Sequence, residues 1–149
     1  GTIFDNLTLY DDQHELDEVR EYAKLACFDD VVMDLPQGYS TTLGNQGIGL
    51  SGGELQRLEI TRALLKDPEI LFLDEATSAL DVPTEKRVID NIKSLNKTII
   101  SVAHRLLIAK LSDQVIVLEE GKIKELGNPS VLMSDDHSLF KSLVDAEVS

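Results

Sequence analysis

Cysteine and basic residues are scarce in this sequence. Its single cysteine, Cys27, cannot form an intrachain disulfide or build a cysteine-rich metal site, so a reducing cytosol is the expected compartment. Lys and Arg number 14 against 27 Asp and Glu, which gives a formal net charge of -13. Because binding to nucleic acid or to an anionic membrane surface depends on basic side chains, the charge argues against both kinds of partner.

Long hydrophobic runs are also missing. The longest apolar stretches, Ile99–Ala103 (interrupted by Ser101) and Val115–Leu118, have the length of strands. A membrane-spanning helix needs about 20 apolar residues. Residues 1–5 show no basic region followed by an apolar core, so no secretory signal is expected there. At 149 residues and 42% hydrophobic content, the chain is long enough to form one ordinary domain with a sizeable core.

The first part of the chain carries a helical pattern followed by a loop pattern. Apolar residues recur at helical spacing within residues 11–35, which predicts one or two amphipathic helices with Asp11 or Asp12 as N-cap. Residues 36–49 combine glycines with polar residues, which predicts a loop.

Strands and helices alternate in the second part of the chain. Ser51 followed three residues later by Glu54 is the pattern of a capping box, which predicts a helix that begins there and ends at Pro68. The further elements predicted are strands at 69–74, 97–103, 114–118 and 123–126, helices at 84–95 and 105–111, a tight turn at 119–122, and two short helices after Pro129. Such alternation is typical of an α/β fold with a parallel sheet.

Two acidic residues, Asp74 and Glu75, end the first apolar strand. The carboxyl edge of a parallel sheet is where open α/β folds bind ligands. One carboxylate there can hold Mg²⁺, and its neighbour can polarise an attacking water. The alternative is purely structural, because a strand followed by an acidic N-cap is common.

The helix predicted to end at Pro68 begins with Ser51, Gly52 and Gly53. Backbone N–H groups, the positive end of the helix dipole, a small hydroxyl and glycines that permit close approach together favour a phosphate site. The alternative is a flexible loop followed by a capped helix. His104 follows the strand at 97–103, so it is expected at the same sheet edge as Asp74 if the two strands are parallel. A lone histidine there is more often structural, but beside a phosphate it can donate to the terminal oxygen.

Taken together, these segments resemble the nucleotide-binding domain of ABC (ATP-binding cassette) transporters. The matching segments are the signature (Leu50–Glu54), Walker B (Ile70–Glu75), the D-loop (Ser78–Asp81) and the switch histidine (His104). The resemblance implies a partial P-loop NTPase (RecA-like) core at residues 69–149 and the ABC α-helical signature subdomain at residues 1–68.

The resemblance also implies the roles of individual residues in hydrolysing ATP to ADP and phosphate. Asp74 would bind Mg²⁺ through water, Glu75 would be the general base, and His104 would contact the γ-phosphate. The residues expected to bind an ATP held by the opposite subunit, or to couple the two sites, are Ser51, Gly52, Gly53, Glu54 and Asp81.

The expected partners are a second nucleotide-binding domain, arranged head to tail, and the transmembrane domain of a transporter. Residues 1–7 and Val102–Leu106 resemble exporter-type cassettes, so an exporter at the cytoplasmic face of the inner membrane is expected. Two alternatives stay open: an ABC ATPase without transport, and a non-enzymatic ABC fragment.

A phosphate loop of the pattern Gly-x-x-x-x-Gly-Lys-Ser/Thr is absent from the 149 residues. Because that loop wraps the β-phosphate with backbone N–H groups and a lysine, the isolated chain is expected to be inactive and to bind no ATP measurably. In relatives the loop's strand lies between the strands at 97–103 and 114–118, so those strands are expected to pair directly or through another chain. Glu54 also replaces a common glutamine, and Asn45 replaces a common glutamate in the loop that faces the membrane domain.

Overall fold

Helices and strands follow one another along the computed structural model, which describes residues 1–44, 48–102 and 105–148. The chain forms two units, residues 1–102 and 103–149. The α/β fold class predicted from the sequence is confirmed. The proposed boundary at residue 68, between a signature subdomain and an ATPase core, stays a prediction. Within the described part of the chain, no helix has the length and apolar character needed to cross a membrane.

The first unit begins with helices and ends with a strand–helix–strand segment. Its elements are α1 (Ile3–Thr8), α2 (Leu16–Leu25), α3 (Asp29–Met33), α4 (Gly52–Leu65), β1 (Ile70–Asp74), α5 (Val82–Lys93) and β2 (Thr98–Val102). Two helices form within residues 11–35, as predicted, but the predicted N-cap is wrong. Glu15 occupies the N-cap of α2, while the Asp11 carboxylate accepts from the backbone N–H of Gln13 (3.0 Å) in the preceding turn.

Helix α4 lies at the centre of the helical part and packs against α1 and α2. Its buried residues are Leu58, Ile60, Thr61, Leu64 and Leu65. Two arginines extend from α4 to backbone carbonyls of neighbouring segments. The Nε of Arg62 donates to the carbonyl of Asn6 (2.9 Å), and the guanidinium of Arg57 donates to the carbonyl of Cys27 (2.9 Å). These bonds fix α4 against the helices that precede it.

A buried carboxylate, Asp29, joins α2, α3 and the turn that follows. It accepts two hydrogen bonds from Arg20 (3.0 and 3.1 Å) and one from the hydroxyl of Tyr39 (2.8 Å). Burial alone raises the pKa of Asp29, but the hydrogen bonds from Arg20 and Tyr39 outweigh it and bring the pKa below its usual value. Burial, together with Asp29, raises the pKa of Tyr39.

Strands β1 and β2 pair in parallel, with α5 as the connection between them. The register places Asp74 opposite Val102, so the two carboxyl ends lie at one edge. This confirms the parallel order predicted for these two strands. Leu71 and Leu73 point into the core, whereas Phe72 on the opposite face is 70% exposed.

The second unit is built on a hairpin. Its elements are α6 (Leu106–Ala109), β3 (Val115–Glu119), β4 (Lys122–Gly127), α7 (Pro129–Ser134) and α8 (Leu139–Val148). Strands β3 and β4 pair antiparallel because Glu120 and Gly121 both have positive φ (51° and 72°), the condition for a tight hairpin turn. The predicted turn is therefore confirmed, and the parallel order predicted from residue 69 onward does not extend to this pair.

The core of the second unit consists of Val115, Val117, Phe140 and Val144. Glu125 on β4 connects the hairpin to α8. Its carboxylate accepts from the backbone N–H groups of Leu139 (3.2 Å) and Phe140 (2.8 Å), which as donors at a helix start have no partner within the helix.

Candidate nucleotide site

The start of α4 carries the capping box expected from the sequence. The Ser51 hydroxyl accepts from the backbone N–H of Glu54 (3.3 Å), and the Glu54 carboxylate accepts from the backbone N–H of Ser51 (2.8 Å). The hydrogen bond with the Ser51 backbone and, to a smaller extent, the one with the Ser51 side chain lower the pKa of Glu54. Ser51 and Gly52 are exposed. A charged carboxylate therefore lies on the first turn of a helix whose N-terminal face is open to solvent.

The end of β1 presents both candidate carboxylates at the sheet edge. Asp74 is the last residue of β1 and is exposed, as is Glu75. Glu75 has a φ of 49°, a left-handed conformation that costs a residue with a side chain about 1 kcal/mol or more. Its backbone N–H donates to the carbonyl of Val102 (3.5 Å), so Glu75 lies beside the end of β2.

The segment after Glu75 turns tightly and leads into α5. Asp81 is the N-cap of α5, and its carboxylate accepts from the backbone N–H of Thr84 (3.1 Å). Hydrogen bonding to Thr84 lowers the pKa of Asp81. The hydroxyl of Thr77 donates to the buried carboxylate of Glu85 (2.6 Å). Thr77 and Asp81 of this segment, here named the 75–81 turn, are thus tied to α5.

The first turns of α4 lie directly against the 75–81 turn. The side-chain amide of Gln56 donates to the carbonyl of Glu75 (3.1 Å) and to the hydroxyl of Ser78 (2.9 Å), and it accepts from the N–H of Ala79 (2.8 Å). A Cβ on Gly53 would lie 3.1 Å from the carbonyl oxygen of Ala79, so glycine permits this close approach. The structure therefore brings together two predicted segments, the α4 start and the end of β1.

Gln56 belongs to the segment Leu50–Arg57 that stands out in the sequence, but the sequence predicted no role for this residue. It lies 19 residues from Glu75 and 23 residues from Ala79 in the chain, and a helical or strand pattern in the sequence does not predict contacts between residues so far apart. The one available signal was a polar residue on a helix, which is most often a solvated side chain.

The donor set at the edge fits Mg²⁺ bound together with a phosphate. Asp74 and Glu75 offer adjacent exposed carboxylates, and oxygen is the ligand that Mg²⁺ prefers. Among the described residues no group of three or more potential metal ligands occurs. Mg²⁺ in proteins commonly takes one or two carboxylates and completes its shell with water and substrate phosphates. The expectations for His104 and Asn45 lie outside the described residues.

Comparison with known proteins assigns the family. Residues 2–78 match the family described as "ABC transporter". The chain is 44% identical over 144 residues to the alpha-hemolysin translocation ATP-binding protein HlyB of Proteus vulgaris, covering 95% of this chain and 20% of that protein. It is 46% identical over 126 residues to the heterocyst differentiation ATP-binding protein HepA of Nostoc sp., covering 83% of this chain and 21% of that protein.

A solved structure agrees with the fold. The structure of a bacterial Atm1-family ABC exporter with ATP bound matches 99% of this chain and 26% of that chain, at a TM-score of 0.88 and 39% identity. The chain thus spans about a fifth of the length of HlyB and HepA, and about a quarter of the solved exporter. On these matches, the chain belongs to the ABC transporter family.

Proposed function

We propose that this chain is the part of an ABC exporter's nucleotide-binding domain that hydrolyses ATP, working in a head-to-tail dimer of cassettes. The observation that carries the proposal is the contact between the capped start of α4 and the turn that follows Asp74 and Glu75. One surface of the chain thereby presents a phosphate-type helix start and a pair of carboxylates.

The roles proposed at the β1 edge are those that the family resemblance implies, and the exposure of its two carboxylates supports them. Glu75 is exposed and directly follows the strand, a place from which its carboxylate can take a proton from an attacking water. Asp74 would hold Mg²⁺, and a bound ion would supply charge neutralisation for the phosphate oxygens. For His104, the resemblance implies a contact with the γ-phosphate.

The roles at the α4 start concern a second ATP, held by the partner cassette. Ser51, Gly52 and Gly53 offer a hydroxyl and backbone N–H groups at the positive end of a 14-residue helix. Glu54 completes the capping box that holds this helix start in shape. Asp81 lies at the end of the 75–81 turn and couples the two sites.

The partners and location are proposed from the relatives. HlyB is described as a translocation ATP-binding protein, and the solved relative is described as an exporter. We therefore infer association with a transmembrane domain, and a position at the cytoplasmic face of the membrane.

The two-site arrangement is testable in an extended cassette, defined here as a polypeptide that joins this chain to an upstream segment with a phosphate loop. In a Glu75→Gln background, ATP is expected to drive dimerisation, which sedimentation velocity measures. Adding Ser51→Ala is expected to weaken that dimerisation about 10-fold and to leave the Kd of the monomer for ATP within twofold. The control is Ser40→Ala, which removes an exposed hydroxyl elsewhere in the same unit. If Ser51→Ala weakens ATP binding by the monomer itself, Ser51 serves its own site and the head-to-tail proposal is wrong.

A further inference from the structure

Gln56 uses nearly all the hydrogen-bonding capacity of its side chain on one short segment. A primary amide has two N–H donors and one carbonyl oxygen. Here the nitrogen donates to the carbonyl of Glu75 and the hydroxyl of Ser78, and the oxygen accepts from the N–H of Ala79. The three distances, 3.1, 2.9 and 2.8 Å, are all those of ordinary hydrogen bonds.

The segment that Gln56 contacts begins at a residue with a strained backbone. Glu75 adopts a left-handed backbone conformation, which is unfavourable for a residue with a side chain, and it is exposed. Within the turn, the N–H of Ser78 donates to the carbonyl of Glu75 (3.1 Å), and the same carbonyl accepts from Gln56. The amide of Gln56 on α4 therefore adds a second hydrogen bond to the carbonyl at the start of the turn.

The close packing of α4 on the turn has a second, independent basis. Gly53 brings its backbone so near that an added Cβ would lie 3.1 Å from the Ala79 carbonyl oxygen and 3.5 Å from Leu80. Gly53 and Gln56 are three residues apart and so lie on one side of the helix. The same stripe of α4 thus carries both the close approach and the hydrogen bonds.

We propose that Gln56 is a positioning residue that sets the backbone of Glu75 from the helix whose start serves the other ATP. This inference rests on the proposed function, in which Glu75 is the general base. A displacement of the α4 start by the partner's ATP would pull on Ala79 and Glu75 through Gln56. The side chain of Gln56 thereby links the two half-sites of one chain.

The test compares Gln56→Ala and Gln56→Leu with wild type in the extended cassette. Leucine keeps the bulk and helix propensity of glutamine but makes no hydrogen bond. A misplaced general base slows the chemical step, so kcat is expected to fall about 10-fold or more in both variants. The KM for ATP is expected to stay within twofold. The control, Gln13→Ala, makes the same deletion at an exposed position before α2 and is expected to leave kcat unchanged.

A second measurement reads the position of the turn without nucleotide. Hydrogen exchange of the Ala79 amide in the 149-residue chain is expected to become at least 10-fold faster in Gln56→Ala and to stay unchanged in Gln13→Ala. A wild-type kcat in Gln56→Ala overturns the proposal, and so does a raised KM with unchanged kcat. If both Gln56 variants lose the far-UV circular dichroism signal of the folded chain, the proposal is also overturned, because Gln56 is then required for folding. If the wild-type extended cassette hydrolyses no ATP, the proposed function fails, and the Ala79 exchange rate alone decides whether Gln56 holds the turn.

Discussion

Replacing Gly53 by alanine tests the close contact between α4 and the 75–81 turn. The added methyl would lie 3.1 Å from the carbonyl oxygen of Ala79, closer than ordinary van der Waals contact. That carbonyl belongs to a residue whose N–H is bonded to Gln56, so it cannot retreat without straining this bond. Gly52→Ala is the matched control, because its methyl would lie 3.7 Å from the Cβ of Ala79, an ordinary contact.

The magnitude follows from two opposing contributions. Alanine is more favourable than glycine within a helix by up to about 1 kcal/mol, and this gain is common to both substitutions. Overpacking costs roughly 1–3 kcal/mol and applies to Gly53→Ala alone. Gly53→Ala is therefore expected to have a free energy of unfolding about 1–3 kcal/mol below that of Gly52→Ala.

The assay is urea unfolding of the 149-residue chain followed by far-UV circular dichroism. With a denaturant dependence of about 1–3 kcal/mol per molar urea, the difference corresponds to about 1 M in the midpoint. Equal midpoints for Gly53→Ala and Gly52→Ala would refute the reasoning, because the contact with Ala79 would then exert no constraint.

Three further predictions concern charge and nucleotide. Asp29→Asn is expected to lower the free energy of unfolding by roughly 2 kcal/mol at pH 7, because it weakens charge-assisted hydrogen bonds from Arg20 and Tyr39. Because the folded-state pKa of Asp29 lies below 3.8, the difference in the free energy of unfolding between wild type and Asp29→Asn is complete above that pH, and it disappears as the pH falls through the folded-state pKa. Urea titrations between pH 7 and 2 measure this difference, and a difference that does not change with pH would contradict the reasoning. Glu54→Gln keeps an oxygen for the capping box and removes a negative charge, whose repulsion of a nearby phosphate costs up to about 1 kcal/mol at a surface site. The KM for ATP of the extended cassette is therefore expected to fall several-fold, and an unchanged KM would count against a phosphate near Glu54. Calorimetric titration of the 149-residue chain with Mg-ATP is expected to show no binding, and micromolar binding would contradict that expectation.

The local patterns that the sequence displays were sufficient for the elements around the site. A serine three residues before a glutamate predicted the start of α4, because the capping box involves neighbours in the chain. Alternation of apolar strands with an amphipathic helix predicted the parallel pairing of β1 with β2, and with it the edge that carries Asp74.

Features that depend on short elements or distant contacts were not predictable. Helix α1 has six residues, too few for periodicity, and its capping box (Thr2 with Asp5) went unnoticed. The N-cap of α2 was misplaced because several acidic residues precede the helix, and the pattern does not say that Asp11 bonds to the preceding turn instead. The contact of Gln56 with the 75–81 turn arises only when α4 folds back beside the end of β1.

The most direct test of the proposed catalysis is the rate of ATP hydrolysis by the extended cassette with Glu75→Gln, beside Glu69→Gln as the matched control. Both substitutions remove one exposed carboxylate next to β1, at its carboxyl end and its amino end respectively. A positioned general base contributes about 100-fold or more, so Glu75→Gln is expected to lower kcat by at least that factor while ATP still binds. Glu69→Gln is expected to stay within twofold of wild type. A Glu75→Gln cassette that hydrolyses ATP at the wild-type rate would contradict the assignment of Glu75 as the general base.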